Sequence, residues 1–257
     1  MRRLTRRPRP EEPRPALDPL ASRLGVEPGH QPPWLTALKG IGVAFTCGLL
    51  LRLAWRVVAV TLTDGEYLPV AVALLLGYAS ADLVAGSVHW FCDTFYSPQT
   101  PLLGPVIFRF RDHHDRPQHI VQLRFLEQDI NNFFIMAPPL IWLWWSGVPA
   151  AGHAGGLFGA AFLLALCSGA CATNMLHKWA HDPAAPALAR WLQRRGLILS
   201  PERHWVHHQD HSRGFCVTSG WMNRVLDPIR FFIRLERAVR SLRPVQVTGS
   251  APEVGRR

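Results

Sequence analysis

The chain has 257 residues, room for one large domain or two small ones, and a formal net charge of +10. Its 48% hydrophobic content comes in long blocks rather than scattered stripes, which argues against an ordinary soluble domain and for membrane spans. No nucleic-acid-binding motif accompanies the positive charge, so the arginines are assigned to anionic lipid headgroups and no nucleic acid partner is expected.

Residues 1–33 mix Arg, Pro and Glu without an apolar run and read as a disordered basic tail. The first apolar block begins too late for an ordinary cleaved signal peptide, which favours an uncleaved anchor. Four spans are predicted, at about 39–62, 68–91, 132–150 and 155–176. Arg52 and Arg56 share a face inside the first; they snorkel, face the bundle or mark an earlier exit. Asp82 lies inside the second span, two helical turns before His89 at that span's end. A basic loop follows with His113, His114 and His119. The last two spans are joined by a short Gly-rich turn containing His153, and the fourth runs into His177-x-x-x-His181. Next come His204-x-x-His207-His208 and His211, then a stretch over 224–242 that mixes aromatic, aliphatic and basic residues and suits a helix in the membrane interface. One membrane domain is expected over 34–240, with a flexible tail over 241–257. The fold class predicted is therefore all-α: a bundle of about four transmembrane helices with a His-rich metal-binding cap.

All twelve histidines but His30 fall between His89 and His211. On a helix, residues three or four apart share a face, so His177 with His181, and His204 with His207 and His208, can aim several imidazoles at one point. Neutral imidazole suits iron, zinc and copper, and these groups exceed what one tetrahedral ion needs, which points to a two-metal centre. His30 and His153 are read as bystanders. The five cysteines form neither a CxxC pair nor a disulfide framework; those in apolar blocks are packing residues.

Charge distribution gives an independent check. Lys and Arg are absent from the turns near 63–67 and 147–155, whereas the N-terminal tail and the loop after the second span are basic. With four spans, both termini and all four histidine groups fall on the cytosolic side, and His153 falls on the other.

The segments ADLVAGSVHWFCDTF (81–95), FRFRDHHDRP (108–117), TNMLHKWAH (173–181) and PERHWVHHQDHSRGFCVTSGWMN (201–223) together resemble the Kua/CarF lipid desaturase family, over roughly residues 70–237. The resemblance implies an integral membrane di-iron enzyme that inserts a double bond with O₂. It carries the ligand role to His89, His113, His114, His177, His181, His204, His207 and His208. One departure stands out: where the family shows an RHDF-type segment, this chain reads Gln122-Leu123-Arg124-Phe125, and leucine cannot bind metal. His119, four residues earlier, is a candidate replacement if the segment is helical, and His211 a candidate extra ligand. Asp82, Asp93, Glu127 and Asn174 are candidates for orienting the imidazoles, with Asp82 alternatively pairing with Arg52 or Arg56.

The implied cofactors are two iron ions, and the implied substrate is a membrane phospholipid. The plasmanylethanolamine-desaturating branch of the family forms the vinyl ether of plasmalogens. An acyl-lipid desaturase or hydroxylase on the same platform, and a non-catalytic membrane regulator, are the alternatives. No flavin fingerprint or iron–sulfur cysteine set is present, so electrons are expected from a cytochrome b5-like or ferredoxin partner. Neither HExxH nor a paired general-base glutamate accompanies the histidines, which disfavours a zinc hydrolase.

Overall fold

The computed structural model describes residues 32–128 and 130–242, and among them every regular element is a helix. The tails expected over 1–33 and 241–257 thus lie almost entirely outside the described residues. Pro33 opens α1 (Pro33–Asp64), where a missing N–H costs nothing, and Gly65 closes it at φ +72°, its N–H returning to the Thr61 carbonyl. Among the described residues, α2 (Tyr67–Thr94) and α7 (Ala154–His181) complete a set of three helices long and apolar enough to cross a membrane. Between them lie α3 (Gly104–Asp115), the short α4 (His119–Gln122) and α5 (Phe125–Gln128), and α6 (Ile130–Ser146).

The expected span at 132–150 is the element that differs. It forms α6, only 17 residues and hence about 25 Å long, because the chain turns at Gly147 with φ +73°. Pro138 and Pro139 lie inside it, and each lacks the N–H that would bond the preceding turn. α6 runs parallel to α1: Thr46 donates to the Phe133 carbonyl near one end, and Arg56 to the Gly147 carbonyl at 2.6 Å near the other. Arg56 also reaches the Pro149 carbonyl, and Asp64 accepts the Gly152 N–H at 2.8 Å. The two turns that lack Lys and Arg therefore sit together at one end of the bundle. Trp142, Trp144 and Trp145 are exposed there, as aromatic residues are where helices reach a membrane surface. Arg56 thus faces the bundle end, and Arg52 lies over the Trp144 ring.

α2 and α7 also run parallel, and very close. A methyl group added at Gly77 would lie 2.2 Å from the Phe162 carbonyl oxygen, and one at Gly169 2.7 Å from the Ala81 Cβ. Small residues let two backbones approach where lipid offers no hydrophobic drive to association. This contact brings the C-terminal ends of both helices, with their histidines, to the same level. The outward faces present Leu51, Trp55, Leu62, Leu68 and Leu75, an apolar belt suited to lipid.

The cap is built from α3, α8 (Ala187–Arg194), α9 (Pro201–Gln209), the turn α10 (Asn223–Leu226) and α11 (Phe231–Leu242). Pro105 in its first turn and Pro117 just past Arg116 bracket α3, while α9 starts with the Ser200 side chain accepting the Arg203 N–H and Pro201 in the first turn. α11 covers the second half of the expected interfacial stretch. It packs Phe232, Leu235 and Val239 onto Trp90, Phe95 and Phe215 and exposes Arg234, Arg237 and Arg240.

Candidate metal centre

Four helices deliver the histidines to one place. α2 brings His89 and, one turn on, Asp93; α3 brings the adjacent pair His113 and His114; α7 brings His177 and His181; α9 brings His204, His207 and His208. They sort into two groups. His113, His177, His181 and His204 form one, and His89, Asp93, His114 and His207 the other; within each, one ligand atom per residue lies within 4.8 Å of all the others. The groups adjoin, with the His113 and His114 rings 5.2 Å apart and the His89 and His177 rings 5.8 Å apart.

The fit to metal ions rests on atoms that protein partners leave unsatisfied. Buried nitrogens of His89 (Nε2), His113 (both), His181 (Nε2), His204 (Nδ1) and His207 (Nε2), and Asp93 Oδ1, have no hydrogen-bond partner. Leaving one such polar atom buried and unpaired costs about 1–3 kcal/mol, so a concentration of them marks a place for a ligand. The imidazoles also converge nitrogen to nitrogen: His204 Nε2 lies 2.8 Å from His177 Nε2 and 3.0 Å from His208 Nε2. That is the spacing of neighbouring ligands on one ion with bonds of about 2.1 Å.

Backbone carbonyls fix two of the rings. His89 Nδ1 donates to the Phe215 carbonyl at 3.1 Å and His207 Nδ1 to the Arg213 carbonyl at 2.7 Å, so both Nε2 lone pairs point inward. The loop that supplies these carbonyls is held by Asp82. This fully buried carboxylate accepts the backbone N–H groups of Thr218, Ser219 and Gly220 on Oδ1 and of Met222 on Oδ2, all at 2.8–3.1 Å. Asp82 therefore pairs with neither Arg52 nor Arg56 and touches no ligand imidazole; it positions the strap that does. At Gly86, where the strap crosses α2, an added Cβ would lie 2.4 Å from Cys216 Sγ.

Burial, then the neighbouring imidazoles, hold His113 and His204 well below the free value, and His208 is lowered to about 3 by the same causes. These rings are neutral at physiological pH, the state in which imidazole binds metal.

The other candidates divide clearly. Asp93, expected to orient the imidazoles, sits among them, its Oδ2 3.0 Å from His114 Nε2, 3.3 Å from His89 Nε2 and 3.5 Å from His207 Nε2. His208 borders the first group, its ring 4.6 Å from that of His113. His211 reaches the second from a loop, since α9 ends at Gln209; its ring is 4.4 Å from that of His114. His119 belongs to neither group and pairs instead with Asp112 at 3.1 Å. At the departure site, Lys178 donates to the Leu123 carbonyl. Glu127 accepts the Arg124 N–H and so caps its own turn, and Asn174 is half-buried on α7, one turn before His177. His153 precedes α7 at the far end of the bundle. The carbonyls of Arg213 and Phe215 were not foreseeable, since a backbone acceptor has no residue signature.

Fold and site define a helical membrane protein with two adjoining histidine-rich groups that could hold metal ions. Residues 78–252 match the lipid desaturase domain family, and the chain belongs to that family. It is 41% identical over 169 residues to the plasmanylethanolamine desaturase of Myxococcus xanthus, covering 65% of this chain and 59% of that one. It is 31% identical over 193 residues to plasmanylethanolamine desaturase 1 of Mus musculus, covering 73% and 69%. Fatty acid desaturase 4-like 1, chloroplastic, of Arabidopsis thaliana is 30% identical over 176 residues, covering 67% and 57%. The match thus spans about three fifths of the bacterial relative. No solved structure matches the chain.

Proposed function

We propose that this protein is a membrane lipid desaturase that uses two iron ions and O₂, with plasmanylethanolamine as the phospholipid substrate. The observation that carries the reading is the pair of adjoining buried ligand groups with their unsatisfied nitrogens. Family membership and the names of the relatives support it. Bound iron, reduced by an external donor of the cytochrome b5 or ferredoxin class, supplies the oxidising power needed to remove hydrogen from two adjacent unactivated carbons. The balance is one O₂ reduced to two waters, with two electrons from the alkyl chain and two from the donor.

The chain's residues set the conditions for that chemistry. His113, His177, His181 and His204 would hold one ion, with His208 alongside; His89, His114, His207 and the carboxylate of Asp93 would hold the other. The Phe215 and Arg213 carbonyls keep the His89 and His207 protons on Nδ1, outside the site. The Asp93 charge offsets part of that of the cation beside it. Packing by Phe110 and Phe215 against His89 excludes water from that side. The basic N-terminal tail and central loop favour a cytosolic site and cytosolic termini.

Expression in a host that makes plasmanylethanolamine but no plasmalogen tests the reading. Acid-labile vinyl ether lipid and about two irons per chain are expected, with both falling in His89→Ala and Asp93→Ala. Purified protein carrying zinc in place of iron, or full iron with a hydroxylated lipid as product, would overturn it. Reporters fused after residues 65 and 120 should report opposite sides of the membrane.

A further inference from the structure

Beside the strap that orients His89 and His207 lies a polar cavity of about 250 Å³. Asp210, Ser212 and Arg213 line one part of it, and Asp227, Arg230 and Phe232 another. Its walls are braced. Asp210 accepts both the N–H and the hydroxyl of Ser212 and pairs with Arg213 at 2.9 Å, while Asp227 accepts the Gly214 N–H at 3.2 Å. Arg230 occupies the left-handed region at φ +50°, its N–H bonded to the Asp227 carbonyl. A side chain larger than glycine resists that conformation, and such residues gather at ligand clamps, where the surrounding structure holds them in place.

Resting on the desaturase reading above, we propose that this cavity binds the phosphoethanolamine headgroup of the substrate, Arg213 and Arg230 facing the phosphate and Asp227 the ammonium. Both signs of charge line the cavity, which suits a zwitterion: a simple anion would meet two carboxylates, and a simple cation two guanidiniums. A primary ammonium can donate hydrogen bonds to Asp227, and the quaternary ammonium of choline cannot.

The cavity's position also selects the bond. Arg213 lines it and gives its carbonyl to His207 Nδ1, so one residue joins the cavity to a member of the second histidine group. Only the glycerol backbone separates a phospholipid phosphate from the first carbons of the sn-1 chain. A headgroup held here brings the start of that chain, where a vinyl ether forms, to the histidines rather than its middle.

The test uses the iron-free full-length protein in detergent, titrated with glycerophosphoethanolamine, glycerophosphocholine and inorganic phosphate. Wild type should bind glycerophosphoethanolamine at least about tenfold more tightly than either other probe. Arg230→Gly keeps the left-handed backbone and removes the cation, and Asp227→Asn keeps the acceptor for Gly214. Each should weaken binding about tenfold while the protein still loads iron normally. With loaded enzyme, both should raise KM and leave kcat nearly unchanged. Unaltered binding in both variants, or equal binding of inorganic phosphate by the wild type, overturns the proposal. Should either variant lose iron through misfolding, the wild-type preference for ethanolamine over choline still decides. A wild type that binds the headgroup yet desaturates no lipid supports the cavity and defeats the desaturase reading instead.

Discussion

The two ligand groups are built on different plans. His89 and His207 are locked from behind by backbone carbonyls, and Asp93 brings a fixed negative charge to the ligands of that group. The group formed by His113, His177, His181 and His204 is all imidazole, and His113 leaves both ring nitrogens without a hydrogen bond. One half is therefore organised by protein contacts alone, and in the other the imidazole nitrogens crowd one another in a way that a bound ion would relieve. Pre-organisation favours a site that keeps its ion, and a site that depends on the ion for order loses it first.

The largest effect that sharpens this comparison comes from the all-histidine group. His204→Ala removes a nitrogen that touches both His177 and His208, and should abolish product and release about one iron per chain, the other ion staying with the braced group. Loss of both ions together, read by metal analysis, would show that the groups are not separable. Next comes Asp82→Ala, which strips the partner from four backbone N–H groups, three of them buried, and frees the strap behind His89. It should destabilise the fold by roughly 2–5 kcal/mol and weaken the braced site about 10–100-fold, seen as a lower Tm and a weaker iron affinity. Unchanged affinity would mean the strap orients without Asp82.

A smaller effect follows from protonation. His113, His204 and His208 are lowered from 6.5 in the fold, His208 to about 3, so the unfolded chain binds more protons than the folded one between those values. Their stabilising contribution is present above pH 6.5 and is lost as the pH falls toward 3. The Tm of iron-free protein should drop by several degrees between about pH 7 and pH 5, and a flat profile would contradict neutral imidazoles. The smallest effect is expected at His119. It is bonded to Asp112 at the rim, so His119→Ala should keep its iron and its turnover within about twofold, with stability changed by about 0.5 kcal/mol or less. An iron-poor His119→Ala protein would return His119 to the ligand set.

These contrasts follow what the sequence makes legible. The convergence of His89, His113, His114, His177, His181, His204, His207 and His208 could be read in advance, because i, i+4 spacing and span topology each act over short stretches. Charge placement likewise separated His153 from the site, and the structure puts it at the opposite end of the bundle. Asp82 was legible as important but not for its role: its partners are backbone N–H groups 136 to 140 residues away. Asp93 shares a helix face with His89, yet only the arrival of His114 and His207 from other helices turns a neighbouring acid into a member of the group. The length of α6 escaped because hydropathy continues past the point where Gly147 turns the backbone. His119 looked one turn from the ligand position, but α4 stops at Gln122 and Leu123 is extended, so the helical offset does not apply.

The glycine contact between α2 and α7 works as a calibrated spacer. No atom at Gly77 or Gly169 touches the histidines, yet the gap they permit sets how far His89 stands from His177, and so how far apart two bound ions would sit. Gly77→Ala would wedge the helices apart at a point three turns removed from the chemistry. It would thereby stretch the distance between the two histidine groups without altering a single one of their side chains, giving spectroscopy of any metal pair bound there a mechanical handle on its coupling.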